Sequence, residues 1–148
     1  MPKIDLDAIT PSLGSSYPPP FDQPVAARVA RDVGAAGGLT DFVAVHVVVP
    51  PGCWSSQRHW HEGEDELIAV LSGEVVLVDD RGRQTLRAGD LATFRKNDGN
   101  GHHLINESDR DCVLIGVSLP ERSLVHYPDI DLRWSPETGE THVDGTPY

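Results

Sequence analysis

His59, His61 and Glu66 are the residues whose types and spacing promise chemistry most directly. In an extended segment, side chains two apart share a face. His59-Trp60-His61 can therefore aim two imidazoles at one point. Glu66 stands five positions after His61, enough chain for a short turn and a return toward that point. A histidine from a distant strand would complete a cage of three imidazoles and one carboxylate. Such a donor set suits Mn, Fe, Co, Ni or Zn better than Ca or Mg, which prefer oxygen ligands. Downstream, Gly99-Asn100-Gly101-His102-His103 carries two candidates. Adjacent residues on a strand face opposite sides, so only one of the two can join the cage.

Glu66 has competitors in Glu62, Glu64 and Asp65. Glu66 opens the apolar run Leu67-Ile68-Ala69-Val70, where a buried carboxylate would be costly without a cation. The other three read as a solvated acidic loop at the mouth of the site. His46, His126 and His142 have no ligand spacing and read as structural or surface residues.

The elements that must position these residues are short strands. Phe42 to Val49 is nearly all β-branched or aromatic and stops at Pro50-Pro51-Gly52. Leu67 to Leu71, Glu74 to Val78, Gln84 to Arg87, Leu91 to Phe94, His102 to Asn106 and Cys112 to Leu119 follow, separated by Gly- and Asp-rich turns. The hairpin turn is expected at Asp79-Asp80-Arg81-Gly82-Arg83. Val25 to Val33 reads as a strand or short turn, and no amphipathic helix of about ten residues or more is visible. This pattern predicts an all-β sandwich or jelly-roll barrel. Residues 1–24 read as an extended arm around Pro18-Pro19-Pro20, residues 25–119 as the barrel, and residues 120–148 as an irregular polar tail packing on it.

With 148 residues, the chain is long enough for one domain with a substantial core. A formal net charge of −11 argues against nucleic acid and against an anionic membrane surface. Two isolated cysteines, Cys53 and Cys112, form no disulfide framework and no metal motif. With no signal-like or membrane-spanning apolar run, the expectation is a soluble cytoplasmic protein.

The run from Gly52 through His59-Trp60-His61, Glu66 and Gly73 resembles the first motif of the cupin superfamily. Gly89, Asn97, Gly99, His102 and Asn106 resemble the second. Three features depart from the pattern: Asn97 stands where the family has proline, the segment from Gly89 to Asn97 is two residues longer than usual, and the spacer before His59 is longer by one. The resemblance implies a single-domain cupin jelly-roll barrel in which His59, His61, Glu66 and His102 bind one divalent transition metal. It selects His102 over His103 through the spacing to Asn106. Val125-His126-Tyr127-Pro128-Asp129 and the closing Asp144-Gly145-Thr146-Pro147-Tyr148 resemble small bacterial cupins of a sugar-phosphate-isomerase-like subgroup.

Such a cage leaves coordination positions open for water, dioxygen or a substrate oxygen. The expected ligand is a small oxygen-rich molecule such as a sugar, sugar phosphate or hydroxy acid, handled by isomerase-like chemistry. A metal-dependent dioxygenase and a non-catalytic sensor are the alternatives. Ile68, Val70 and Leu104 are expected to make the cavity floor, with either Val43, Val45 and Val47 or the alternate set of Ala44 and His46. Gln57, Arg58, Arg95 and Lys96 are the candidates for anion capture at the mouth. A homodimer is expected, with the proline arm crossing a second barrel's edge strand.

Overall fold

The computed structural model describes residues 3–148. Strands β1 (Ser12–Leu13), β2 (Val29–Asp32), β3 (Val43–Val49), β4 (Trp60–His61), β5 (Glu66–Ser72), β6 (Glu74–Asp79) and β7 (Gly82–Arg87) are followed by β8 (Leu91–Phe94), β9 (His103–Ile105), β10 (Cys112–Ser118), β11 (Val125–Tyr127), β12 (Leu132–Ser135) and β13 (Gly139–Thr141). Helix is confined to short segments such as α1 (Val33–Ala36), capped by the Asp32 carboxylate accepting from the Ala35 N–H at 2.7 Å.

Three antiparallel sheets make a jelly-roll barrel. The largest runs β1-β2-β3-β10-β5-β8, a second runs β13-β12-β11-β4, and a third runs β7-β6-β9. β10 is central, pairing Cys112 to Val49 and Ser118 to Val43 on one side, and Ser118 to Glu66 on the other. Along each strand the side chains of one parity face the barrel interior, and the two ends of that interior differ. At one end Val49, Val70, Val75, Leu86, Leu104, Cys112 and Leu114 close into a buried cluster with Cys53. Each fully buried Val or Leu there contributes about 1.5–3 kcal/mol. At the other end the paired residues Val43, Ser118 and Glu66 line an open cavity.

Glycine serves two needs here. Gly73, in the β5–β6 turn, has φ +75°, and a Cβ there would stand 2.4 Å from the Asp111 carbonyl oxygen. Gly116 on β10 lines the cavity, and a Cβ there would meet nothing within 4 Å, so the missing side chain leaves working space.

The expected strand regions appear with small shifts at their ends. Two expectations fail. The tail is not strand-poor: it supplies β11, β12 and β13, and β11 pairs with the histidine-bearing β4. Its strand signals are short and polar because they complete the sheet that flanks a cavity. Nor is the proline segment an extended arm. It turns, with the Phe21 N–H donating to the Pro18 carbonyl at 3.0 Å, and β1 pairs with β2 of the same chain. The Phe21 carbonyl accepts from Gln57 Nε2 at 2.7 Å and the Pro24 carbonyl from the Trp54 N–H at 2.8 Å. These bonds satisfy backbone groups that a free arm would leave to water. Among the described residues, no helix is long and apolar enough to cross a membrane.

Candidate metal centre

Four side chains meet at the open end of the barrel. His61 is on β4, Glu66 opens β5, and His102 immediately precedes β9. His59 lies just outside β4 and forms an isolated antiparallel bridge with His102. The His59 and His61 rings approach to 5.0 Å between centroids, and the His59 and His102 rings to 4.9 Å. All three Nε2 atoms turn toward one carboxylate. His102 Nε2 lies 2.9 Å from Glu66 Oε2, His61 Nε2 3.5 Å from Oε1, and His59 Nε2 3.9 Å from Oε2. Ligand atoms of His59, His61 and Glu66 all fall within 4.8 Å of one another, a group that can hold a metal ion. His102 stands beside that trio rather than inside it, drawn to Glu66 by its hydrogen bond and stacked on Phe94 at 3.5 Å.

The donor set fits a transition metal on three grounds. First, His61 Nδ1 and Nε2 and His102 Nδ1 are buried without hydrogen-bond partners, a cost that a cation on Nε2 would offset at His61. Second, His59 Nδ1 sits 2.9 Å from the Gln57 carbonyl. A proton held there leaves the Nε2 lone pair free. Third, burial lowers the His59 pKa to about 4, so the ring is neutral at pH 7 with no proton to displace. Burial pulls His61 the same way, but the Glu66 carboxylate, with Glu121 and Glu64, outweighs it and the His61 pKa rises. At Glu66 burial favours the acid, yet the hydrogen bond from His102 and the neighbouring imidazoles of His61 and His59 hold its pKa well below the usual value.

Glu64 is not part of a solvated loop. It is only 2% exposed, and its carboxylate accepts from the Arg122 N–H at 2.8 Å and from the Ser123 hydroxyl. Glu64 Oε2 also stands 3.6 Å from His61 Nδ1, the nitrogen opposite the one facing Glu66. Next to it, the Gly63 N–H donates to Ser123 Oγ at 2.8 Å, and a Cβ on Gly63 would collide with Ser123. Sequence reading missed this clamp because its partners lie in the tail. The other two acids are outside the cluster: Glu62 Oε1 lies 2.8 Å from His126 Nε2, and Asp65 accepts from the Lys96 N–H at 2.8 Å.

His103 is buried and separate from the four. Its Nδ1 lies 3.2 Å from the Ser56 carbonyl and its ring meets Trp54 edge-on at 4.7 Å. Asn106 is fully buried and acts as a tie: Nδ2 donates to the Val49 and Arg110 carbonyls at 2.7 Å each, and Oδ1 accepts from the Ser108 N–H and hydroxyl. Asn97 explains its own departure from proline. Its φ is +55° and its N–H donates to the His61 carbonyl at 2.7 Å. Proline is barred from both.

The cavity encloses about 580 Å³, within the range of small-molecule sites. Val43, Val45, Val47, Ile68 and Leu104 form apolar wall, which settles the β3 parity against Ala44 and His46. Val70 instead belongs to the closed core. The sequence candidates for anion capture do not line this cavity. Arg58 is held by a two-point pairing to Asp129, Nε to Oδ2 and Nη2 to Oδ1 at 2.7 Å each, and by Asp80. Gln57 is committed to Phe21, and Arg95 and Lys96 are exposed. The polar wall includes residues to which the sequence reading gave no part in the site: Tyr17 and Arg28 near the N-terminus, and Glu121, Tyr127 and Glu140 in the tail. Cys53 and Cys112 are buried free thiols, and burial pushes both pKa values up, Cys112 to about 11. Neither is an activated nucleophile.

An antiparallel jelly-roll barrel with a His-His-Glu group at its open end is a cupin architecture, and residues 45–118 match the cupin domain. The chain belongs to the cupin superfamily. It is similar to a sugar phosphate isomerase of that superfamily from Silicibacter pomeroyi, with 36% identity over 99% of this chain and 96% of that one and a TM-score of 0.92. A predicted oxalate decarboxylase from Thermotoga maritima shares the fold at 23% identity and a TM-score of 0.64, covering 79% of this chain and 97% of that one. The polyketide cyclase RemF from Streptomyces resistomycificus does so at 20% identity and a TM-score of 0.66, covering 86% and 85%. No curated protein sequence matches the chain.

Proposed function

We propose that this cupin binds one divalent transition metal, Mn, Fe, Co, Ni or Zn, through His59, His61, Glu66 and His102, and acts on a small oxygen-rich molecule by isomerase-like chemistry. The observation that carries the reading is the turn of three imidazole Nε2 atoms toward one carboxylate at the wall of a ligand-sized cavity. A divalent cation there would supply a Lewis acid for a carbonyl or hydroxyl oxygen. The likeness to the Silicibacter pomeroyi sugar phosphate isomerase along nearly the whole chain supports a sugar, sugar phosphate or hydroxy acid as the ligand.

The chain's own residues support proton movement beside that oxygen. Glu121 is exposed as a residue, but it lines the cavity. Burial of its carboxyl, then the charges of Glu64 and Glu66, raise its pKa above the ordinary value despite the opposing influence of His61. A carboxyl whose acid form is favoured in this way is the cavity's candidate for donating a proton to a bound oxygen. The Gly63–Glu64–Ser123 clamp holds its loop in place.

The test is metal content and turnover together. Wild-type protein is expected to carry one metal per chain, and His61→Ala to lose most of it. Activity on sugar phosphates or hydroxy acids should vanish with chelator and survive Cys53→Ser and Cys112→Ser. Protein that cannot be loaded with any of the five metals refutes the reading. Strict dependence on O₂ would assign the site to a dioxygenase, and saturable binding without turnover to a sensor.

We also infer a homodimer. The arm does not provide its contact, since it folds onto its own barrel. The edge strands of the large sheet do: Leu13 on β1 is 70% exposed and Leu91 on β8 is 65% exposed. Edges carrying unpaired backbone and exposed leucine favour a covering partner. Sedimentation of wild type should show dimer and of Leu91→Lys a shift toward monomer. A concentration-independent wild-type monomer refutes it.

A further inference from the structure

Among the described residues, Arg28 is the only lysine or arginine that lines the cavity. It enters from the segment just before β2, which the sequence marked for no function. One guanidinium N–H, on Nη1, donates to the Ser55 carbonyl at 2.8 Å. Nε is buried and has no partner. Among the described residues no ion pair joins Arg28 to any of the cavity-lining carboxylates Glu66, Glu121 and Glu140; Glu66 faces the histidines, and Glu140 is engaged by the Ser16 hydroxyl at 2.6 Å. What sets Arg28 apart is its place: it brings a guanidinium with an unsatisfied Nε to the cavity wall, where a cation drawn from water is stabilised by an anion.

Arg28 also shares a wall with the metal group. The Ser55 carbonyl that holds it belongs to the residue before Ser56, whose hydroxyl lies 3.3 Å from His59 Nδ1. We propose that Arg28 anchors an oxyanion, carboxylate or phosphate, on a ligand whose other oxygen faces His59, His61 and Glu66. The guanidinium presents a planar fork of donors matched to such a group. This rests on the metal-centre reading above and adds the charge of the ligand to it. The ligand is two-headed, with a neutral oxygen for the cation and an anionic group for Arg28. The sequence candidates Arg58, Arg95 and Lys96 play no part in its capture.

The experiment titrates inorganic phosphate, and separately glycolate, into wild type, Arg28→Gln, Arg28→Lys and the exposed control Arg95→Gln, with the metal content of every sample measured. At least one anion is expected to bind wild type. Arg28→Gln should weaken it at least tenfold at unchanged metal content, Arg28→Lys by less, and Arg95→Gln not at all. The preferred anion then tells phosphate from carboxylate. Unchanged affinity in Arg28→Gln, or no binding of either anion to wild type, overturns the proposal. Should Arg28→Gln fail to fold, Arg28→Lys decides, with a threefold loss or more in support and unchanged affinity against. Titration of chelator-treated protein separates the two readings. Arg28-dependent binding without metal sustains the anchor even if the metal centre fails, and metal binding with Arg28-independent anion affinity does the reverse.

Discussion

His59 and His102 exchange both of their backbone hydrogen bonds, the His59 N–H to the His102 carbonyl at 3.1 Å and the reverse at 2.9 Å. The bridge lies outside the regular strands, yet it joins the two histidine segments at the point where their side chains must meet. Paired antiparallel residues present their side chains to the same face. The bridge thus brings imidazoles from two distant motifs to one spot and supports the proposal of His102 as a fourth ligand.

His102→Ala is therefore expected to reduce metal content much more than His103→Ala. His103 hydrogen-bonds toward Ser56 and packs on Trp54 instead of facing Glu66. Elemental analysis of the two purified variants decides, and equal losses would contradict the register.

Glu64→Gln keeps the shape of the clamp but removes the charge beside His61 Nδ1. We expect metal affinity to fall by about 10-fold or more, as for other groups that orient a ligand from behind. Glu64→Ala also strips the acceptor from the Arg122 N–H and the Ser123 hydroxyl. Hydrogen bonds to a buried charge contribute about 1.5–3 kcal/mol each, so the melting temperature should drop clearly as well. Competition with a chelator and a thermal melt separate the two effects.

Asn97→Pro restores the residue usual for the family and should nevertheless destabilise this chain. It removes the N–H that bonds to the His61 carbonyl and forbids the φ of +55°. The combined cost is about 2–4 kcal/mol. Asn97→Gly tolerates the conformation and keeps the N–H, so it should melt close to wild type. A proline variant as stable as wild type would refute the argument.

The Arg58–Asp129 pairing predicts an acid limb in the stability profile. Hydrogen bonding from Arg58 holds the Asp129 pKa below its ordinary 3.8. A depressed carboxylate stabilises the fold above the ordinary value, and that contribution is lost as pH falls through the folded one. Asp129→Asn should thus melt lower than wild type near pH 6. The gap should narrow below about pH 4 and narrow further with salt, since Asp129 is largely exposed. Melts across pH at two ionic strengths check this, and a gap that widens with acid would contradict it.

Much of the barrel and the convergence of His59, His61 and Glu66 were legible in the chain itself. Strand alternation and glycine-rich turns are local properties, and they placed β3, β5, β6, β8 and β10 to within a residue or two. His59-Trp60-His61 followed by Glu66 is a local spacing, so its convergence could be anticipated from the extended backbone alone. The proline segment misled because proline restricts the backbone without saying what the neighbouring N–H groups will pair with. The tail misled because β11 to β13 are short and polar, and their strand character comes from pairing with β4 and with one another rather than from their composition.

The sequence by itself determined the fold class and that His59 and His61 share a face, since both depend on the period of side chains along a strand, whereas the choice of His102 over His103 came from the family resemblance. Only the tertiary structure decided what surrounds them. Arg28, Tyr17, Glu121 and Tyr127 reach the cavity from both ends of the chain, and Glu64 leaves the surface to hold the Arg122–Ser123 loop. Such contacts are set by how the sheets close on one another. No spacing in a linear chain encodes which distant residue will share a wall, and the chemistry beyond the metal group is written in that closure.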